Sequence, residues 1–146
     1  MSSTKTIIVN DIAATEAGAF TILENFLVEL NNSIESKKYD WIIFVSTEKL
    51  EKFNKDHIRV INIGSTNWFT RIHWDLIRLP RWIQRNNIKV EKLYSIQNTG
   101  VPFLHVKQFI YVHQPLILAR NIKLKSFEWK IKIYRFIYFY AVKWTI

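Results

Sequence analysis

Cysteine is absent from the 146-residue chain, and glycine and proline occur only three times each. Without cysteine the chain cannot form a disulfide, a thiolate zinc site, an iron–sulfur cluster or a cysteine nucleophile. No two of the four histidines have the spacing of a familiar metal-ligand pair, so we expect no metal site. The few glycines form neither G-x-G-x-x-G nor a phosphate loop, and dinucleotide or triphosphate binding by those routes has no support.

Long uncharged stretches are also missing. The longest segment without Asp, Glu, Lys or Arg is 93–106, whose 14 residues include several polar ones, whereas a membrane-spanning helix needs about 20 apolar residues. The chain also begins without the apolar core of a secretory signal. With 49% hydrophobic residues the sequence is not disordered, and its length suits one domain, 1–146. We therefore expect a cytoplasmic, single-domain chain.

Acidic residues are scarce in the second part of the sequence. Residues 57–146 hold 15 Lys and Arg but only 3 Asp and Glu, whereas residues 1–56 hold 6 basic and 9 acidic side chains. This asymmetry favours an anionic partner, which could be nucleic acid, a phosphorylated ligand or an acidic lipid surface. The alternative is a solvated basic face that keeps the protein in solution.

Apolar runs of strand length alternate with segments of helical period. Pro80 cannot donate a helical hydrogen bond and disfavours helical geometry at Leu79, so we expect a break or kink there and two helices instead of one straight rod. The alternation predicts an α/β fold with a Rossmann-like, doubly wound parallel sheet. The predicted strands are 6–10, 41–46, 57–63, 92–96 and 107–112. One predicted helix begins at residue 18, and the other four cover 47–53, 68–78, 80–86 and 127–146.

Ligands of such sheets bind beyond the carboxyl ends of the strands, which selects the segments 10–18, 97–100 and 113–115. Gly18 lets the backbone approach an anion or a sugar hydroxyl at a helix N-terminus, or it serves only a tight strand-to-helix turn. His113 comes directly after the apolar residues of the predicted strand 107–112. A neutral histidine there can exchange a hydrogen bond with a substrate hydroxyl, or it is a hydrogen-bonded histidine near the core.

The final segment combines aromatic and basic residues at helical spacing. This composition is typical of a helix that lies in a membrane interface, and also of a nucleic-acid surface. A third interpretation is that its apolar residues pack against the sheet or a second domain. The apolar run 136–142 surrounds the predicted helix on all sides, so we expect another structure to cover it.

Two segments carry a family resemblance, SIQNTG at 95–100 and QFIYVHQPL at 108–116. They resemble the N-terminal half of the bacterial family 4 glycosyltransferases that build cell-surface polysaccharides. The pair Asn10-Asp11, the AGA at 17–19 and the segment 74–82 fit the same pattern, so the resemblance covers essentially the whole chain. Many members have paired glycines in the first loop, whereas Gly18 stands between two alanines.

The resemblance implies a retaining enzyme of the GT-B type, in which two Rossmann-like domains face a cleft. The present chain would be the acceptor-side domain, and a C-terminal domain outside it would hold the nucleotide-sugar donor. His113 would face the reacting sugar as the catalytic residue, with Ala17 and Gly18 near the sugar and phosphates. Gln97, Asn98 and Gln114 would complete the substrate-binding residues. No cofactor other than the nucleotide-sugar substrate is implied.

We therefore expect the acceptor-side half of a glycosyltransferase that acts on a polysaccharide or lipid-linked acceptor and is inactive without its second domain. It would associate peripherally with an anionic membrane at the inner face of the plasma membrane, and nucleic acid is not an expected partner. Two alternatives stay open. One is a non-enzymatic basic module that binds membrane or nucleic acid, and the other is a complete small Rossmann-like nucleotide binder.

Overall fold

Five parallel strands form the centre of the structure, a computed structural model that describes residues 5–112 and Phe136. The strand order across the sheet is β3-β2-β1-β4-β5, so β1 and β4 are neighbours although they are far apart in the chain. The strands are β1 Lys5–Asn10, β2 Tyr39–Val45, β3 Ile58–Asn62, β4 Val90–Ser95 and β5 Lys107–Ile110.

Helices cover both faces of this sheet. Helix α1 (Ala17–Asn32) lies on one face, where Leu23 and Leu27 pack with Val9 of β1 and Ile43 of β2. Helices α2 (Trp68–His73) and α3 (Leu79–Arg85) lie on the other face, joined by a π-helical turn, Trp74–Arg78. Parallel strands buried on both faces consist of continuous apolar runs, and this arrangement confirms the predicted Rossmann-like, doubly wound α/β fold.

Aromatic packing fixes the π-helical turn and α3 against the sheet. The ring of Phe44 on β2 lies 5.1 Å from the ring of Trp74 and 4.9 Å from that of Trp82, both in edge-to-face geometry. Leu79 and Ile8 are fully buried in the same cluster. Such pairs stabilise by about 0.5–1.5 kcal/mol each beyond the area they bury. These contacts hold the Trp74 segment against β1 and β2.

Regular α-helix is interrupted just before Pro80, by the π-helical turn Trp74–Arg78, and not at the proline itself as predicted. Leu79 has helical dihedral angles, φ −65° and ψ −49°, and the helical path continues through Pro80. The π-helical turn explains this, because the Leu79 N–H bonds the Trp74 carbonyl, five residues back, and so leaves room for the ring of the following proline. Pro80 then occupies the beginning of α3, where its missing N–H costs little.

The remaining elements agree with the sequence to within a few residues. Helix α2 begins with a capping box in which the Asn67 side chain accepts from the Thr70 N–H at 2.9 Å, and the Thr70 hydroxyl accepts from the Asn67 N–H at 2.8 Å. Residues 47–53 are 3₁₀-helical at Glu48–Phe53, after Thr47 as cap. Strand β5 ends at Ile110, two residues before the predicted end. Of the predicted helix 127–146 only Phe136 is described, helical and exposed.

Candidate functional site

The neighbouring strands β1 and β4 mark the topological switch point of the sheet, where the chain connections diverge to opposite sides. Asn10 pairs in register with Ser95 at their carboxyl ends, and the Ile96 N–H donates to the Asn10 carbonyl at 3.2 Å. In open α/β sheets the crevice beyond this point is the usual ligand site. The loops that follow the two strands therefore form the candidate site.

A buried carboxylate, Asp75, organises the polar side chains at this edge. It accepts hydrogen bonds from Asn10 Nδ2 at 2.8 Å, from Thr99 Oγ1 at 3.2 Å, and from Gln97 Nε2, which lies 3.0 and 2.9 Å from its two oxygens. The Trp74 indole N–H donates to Asn10 Oδ1 at 3.1 Å. We call Asn10, Trp74, Asp75, Gln97 and Thr99 the switch-point cluster. It links β1, the π-helical turn and the loop after β4.

Local structure places these side chains. The π-helical turn begins at Trp74, so its indole and the adjacent Asp75 carboxylate both reach the end of β1. In the loop after β4, the Ser95 hydroxyl donates to the Thr99 carbonyl and closes a short turn. Gln108 holds the next part of that loop by pairing with both the N–H and the carbonyl of Val101, each at 2.9 Å. The resemblance gave Gln108 no role, and the structure shows a structural one.

Burial raises the pKa of the Asp75 carboxyl to about 7. The hydrogen bonds from Asn10, Thr99 and Gln97 and the positive charge of Arg71 oppose this rise without cancelling it. Around neutral pH, Asp75 is therefore close to the point where its charge changes. Perturbed carboxyls in a crevice at a switch point are typical of functional sites.

A second carboxyl, Asp11, lies directly after β1. It is fully buried, and neither of its oxygens forms a hydrogen bond of good geometry within residues 5–112, although the Ala14 backbone amide lies close enough to lower its pKa. Burial raises the pKa of Asp11 to about 8, and the Ala14 backbone amide and the charge of Arg71 offset only part of the rise. The positive charge of Arg71 on α2 acts on both Asp11 and Asp75 and lowers the pKa of each. Burying a carboxyl without a well-formed hydrogen bond lowers the stability of the fold, which indicates that Asp11 has a role other than stabilising the structure.

Gln97 presents a further acceptor. Its Nε2 is committed to Asp75, while its Oε1 is buried and has no partner in the part of the chain that the structure describes. Because the two amide atoms share one carbon, Oε1 is turned to a different side from Nε2. We call the Asp11 carboxyl and Gln97 Oε1 the acceptor pair. Both belong to the loops that leave the switch point.

The sequence-predicted residues fall in three places. Ala17 and Gly18 are the first two residues of α1, and Gln97 and Asn98 follow β4. Asn98 has a left-handed backbone, φ 67°, and its N–H donates to the Tyr111 carbonyl at 3.3 Å. His113 and Gln114 lie outside the described residues. The structure thus brings Gln97 and Asn98 to the predicted edge of the sheet, while the role of the third segment stays a prediction.

The N-terminus of α1 is open near Gly18. A Cβ added at Gly18 meets no heavy atom within 4 Å among the described residues, so no close contact there requires glycine. Glu16 precedes the helix, and its side chain forms no capping hydrogen bond with the described first turn. The free N–H groups of that turn can still bind an anion or a hydroxyl group.

The site residues predicted from the sequence do not include Asp11, Asp75 or Thr99, although Asp11 and Thr99 lie in the segments 10–18 and 97–100 selected above. Two of them carried a usable signal. Asp11 is a charged residue at the end of a fully apolar strand, and Asp75 is the single acidic residue in the segment 68–85. The hydrogen bonds that unite the cluster join residues 22 to 65 positions apart, so spacing alone does not reveal them.

Residues 5–112 and Phe136 contain no group of three or more His, Asp or Glu side chains arranged to hold a metal ion. Within the same residues, every helix is too short or too polar to cross a membrane. No protein-family model, curated protein or solved structure matches the chain. The functional assignment therefore depends on the site itself and on the resemblance of its motifs.

Proposed function

We propose that this chain is the acceptor-side domain of a retaining GT-B glycosyltransferase that transfers a sugar from a nucleotide sugar to a cell-surface polysaccharide or lipid-linked acceptor. The observation that carries the proposal is the switch-point cluster together with the acceptor pair. These buried polar side chains stand where open α/β sheets bind ligands, and Gln97 belongs to the motif that resembles the family.

The chemistry of the site suits a carbohydrate. A sugar offers many hydroxyl groups that donate and accept hydrogen bonds, and the site supplies buried amide and carboxyl groups in fixed orientations. Under this proposal His113 and Gln114 complete the site from the segment after β5, and the nucleotide sugar is held by a second domain across a cleft. Transfer requires both substrates in near-attack geometry, so the chain alone should bind the acceptor without turnover.

We also propose that the α2–α3 region docks on an anionic membrane, where lipid-linked acceptors are located. Phe69 is 74% exposed, and the apolar side chains of Leu76 and Ile77 are also partly exposed. The exposed Arg78, Arg81 and Arg85 lie along the same stretch. Exposed apolar groups beside arginines are typical of helices that bind the interface of acidic membranes.

Deletion of the encoding gene in the source organism tests the proposed function. We expect the surface polysaccharide to be lost or truncated, as seen by gel electrophoresis and by mass spectrometry of the released glycan. Reintroduction of the wild-type gene should restore it. Unchanged polysaccharide after deletion would contradict the proposal.

The alternative of a basic nucleic-acid module is tested in parallel with the purified chain. Binding is compared between vesicles that contain acidic lipid, neutral vesicles and duplex DNA at the same ionic strength. Tighter binding to DNA than to acidic vesicles would favour the nucleic-acid module. Equal binding to acidic and neutral vesicles would show that the arginines do not contribute.

A further inference from the structure

We propose that the surface of β4 and β5 on the α1 side of the sheet is the docking site of this chain's own C-terminal segment, residues 127–146. We call Lys92, Tyr94, Lys107 and Phe109, which pair in register on the two strands, the β4–β5 face. The proposal is independent of the proposed function, because it rests on the packing of the sheet and on the sequence that follows β5.

The register of the strands places the β4–β5 face on the same side of the sheet as α1. Tyr94 pairs with Val9 of β1, which packs with Leu23 and Leu27 of α1, and Phe109 pairs in turn with Tyr94. Residues that pair in register on parallel strands point to the same side of a sheet. The rings of Tyr94 and Phe109 stack at 4.9 Å with 12° between their planes, and they form an aromatic surface on that side.

One edge of α1 faces this aromatic surface. On the opposite edge of the helix, Glu24 pairs at 2.7 Å with Lys52, which belongs to the connection between β2 and β3. Phe26 contacts Trp41 of β2 edge to face at 6.3 Å, and Ile22 lies one helical turn before Phe26. Because β4 lies on the other side of β1 from β2 and β3, the edge with Ile22 and Phe26 faces β4 and β5.

A groove therefore lies between α1 and the β4–β5 face. It is apolar and open to solvent, since Ile22 is 37% exposed and Phe109 is 39% exposed. On the other side of the sheet, α2, α3 and the loop after β4 pack around Leu93. On the groove side, α1 is the one α-helix among residues 5–112. Parallel sheets are normally covered on both faces, so the groove has room for a further helix.

The chain after β5 is long enough to supply that helix. Strand β5 ends at Ile110, and residues 113–146 follow the described end of this region at Val112. The connection 113–126 spans up to about 46 Å when extended, at about 3.3 Å per residue, whereas a strand of the length of β4 spans about 20 Å. The segment 127–146 can therefore reach the groove from the end of β5 in either direction.

The sequence of 127–146 contains an uncharged stripe that suits an apolar groove. Five residues with spacings of 4, 3, 4 and 4 lie on one side of the predicted helix: Phe127, Ile131, Tyr134, Tyr138 and Val142. We call them the Phe127 stripe. Phe136 lies two positions from Tyr138, about 200° around a helix, and it is helical and 64% exposed. Docking by the Phe127 stripe is compatible with this exposure, because Phe136 then points away from the sheet.

The charges around the groove favour one direction of the helix. Lys92 and Lys107 pair in register near the amino ends of β4 and β5, and Lys107 Nζ lies 5.1 Å from the centre of the Phe109 ring. Glu128 is the single acidic residue in 113–146 and follows the first residue of the Phe127 stripe. We therefore expect the helix to begin near the two lysines. An exposed ion pair is weak, so the apolar stripe supplies the binding and the ion pair the direction.

Covalent attachment favours this segment over the same segment of a second copy. A short flexible connection gives the attached segment an effective concentration in the millimolar range, which exceeds that of a second copy in dilute solution. The groove should therefore be occupied within one chain at low protein concentration.

Photo-crosslinking of the full chain tests the proposal. p-Benzoylphenylalanine replaces Phe109, and a dilute mixture of ¹⁴N-labelled and ¹⁵N-labelled chains is irradiated and analysed by mass spectrometry. We expect crosslinks from position 109 to peptides of 127–146 within one chain. The same label at Phe69, which is 74% exposed on the other side of the sheet, should give none to the Phe127 stripe. Crosslinks between ¹⁴N and ¹⁵N chains, equal crosslinking from both positions, or no crosslink from position 109 to 127–146 would each overturn the proposal.

Two substitutions on opposite sides of the segment give a second readout. Tyr138→Asp puts a charge on the Phe127 stripe, whereas Phe136→Asp puts the same charge on the exposed side. We expect Tyr138→Asp to accelerate hydrogen exchange of the β5 amides at least tenfold, and Phe136→Asp to leave it within about twofold of wild type. Unchanged exchange in β2 shows that the fold is intact. Equal β5 exchange rates in the two variants would contradict docking by this stripe. If Tyr138→Asp unfolds the whole chain, the crosslinks from position 109 decide.

Discussion

Two buried carboxyls at the end of β1 differ in how their charges are compensated. Asp75 accepts hydrogen bonds from three side chains, whereas the Asp11 carboxyl accepts none from a side chain of residues 5–112 and is influenced only by the Ala14 backbone amide among the described hydrogen-bond donors. Both have a raised pKa, and that of Asp11 is raised further. The difference follows from hydrogen bonding, because bonds to the ionised form offset the cost of burying it. Burial disfavours the ionised form of both carboxyls, so ionisation of either one lowers the free energy of unfolding, unlike ionisation of a carboxyl at the surface.

The raised pKa values predict that stability falls as pH rises. The folded chain keeps a proton on both carboxyls at pH values where the unfolded chain, with a pKa near 3.8, has released it. For each such carboxyl the free energy of unfolding decreases by about 1.4 kcal/mol per pH unit. For Asp75 this loss continues from near pH 4 to about pH 7, and for Asp11 to about pH 8.

Asp11→Asn should therefore raise the melting temperature at pH 8 and have a smaller effect at pH 5, where Asp11 is already neutral in the folded chain. Thermal melts at the two pH values measure this difference. Asp40→Asn on the exposed part of β2 serves as control and should leave the pH dependence unchanged. A variant that is less stable than wild type at pH 8 would show that the charged form of Asp11 has a stabilising partner.

At the scale of elements, the strands were predictable, whereas the form and position of the helical interruption before Pro80 were not. A parallel strand buried on both faces needs an apolar residue at almost every position, so β1 and β2 stand out in the sequence. The π-helical turn before Pro80 has no such signature. It depends on the packing of Trp74 and Leu79 against the sheet, which involves residues far away in the chain.

The candidate site was partly predictable for the same reason. The switch-point rule and the resemblance both selected Gln97 and Asn98, because their position depends on where a strand ends. The roles of Asp11 and Asp75 depend on contacts across the sheet edge and on burial. Neither property can be derived from the spacing of residues in the sequence.

Helix α1 offers a direct test of the expectation for Gly18. Glycine in a helix lowers stability by about 0.5–1 kcal/mol relative to alanine, and a Cβ at Gly18 meets open space among the described residues. Gly18→Ala should therefore raise the free energy of unfolding by that amount, measured by urea denaturation. Loss of stability would show that another part of the protein packs against this residue. If the substrate approaches the backbone there, the same variant should also weaken substrate binding.

At the scale of the whole molecule, the charge distribution separates the two parts of the chain. Basic residues predominate in 57–146, whereas acidic residues outnumber them by 9 to 6 in 1–56. The α2–α3 region adds exposed apolar side chains to its arginines. Electrostatic attraction and apolar insertion together support peripheral membrane binding as proposed, since each is weak alone.

Replacement of Arg78, Arg81 and Arg85 by glutamine should reduce binding to acidic vesicles by roughly a hundredfold at low salt. Each basic residue near such a surface contributes about 1 kcal/mol. The control replaces Lys37, Lys49 and Lys55, which changes the net charge equally but on the other part of the chain. Vesicle co-sedimentation measures both. Equal losses in the two variants would show that net charge, and not the α2–α3 region, determines binding.

The most direct test of the account is the rate of sugar transfer in membranes from the deletion strain that carries either wild type, Gln97→Ala or Gln84→Ala. Gln84 is an exposed residue of α3, so the control makes the same change away from the site. We predict that Gln97→Ala lowers transfer of labelled sugar into polysaccharide at least tenfold, while the purified variant melts within a few degrees of wild type. Gln84→Ala should change neither the transfer rate nor the melting temperature. Normal transfer by a folded Gln97→Ala protein would contradict the assignment of the switch-point cluster as the acceptor site.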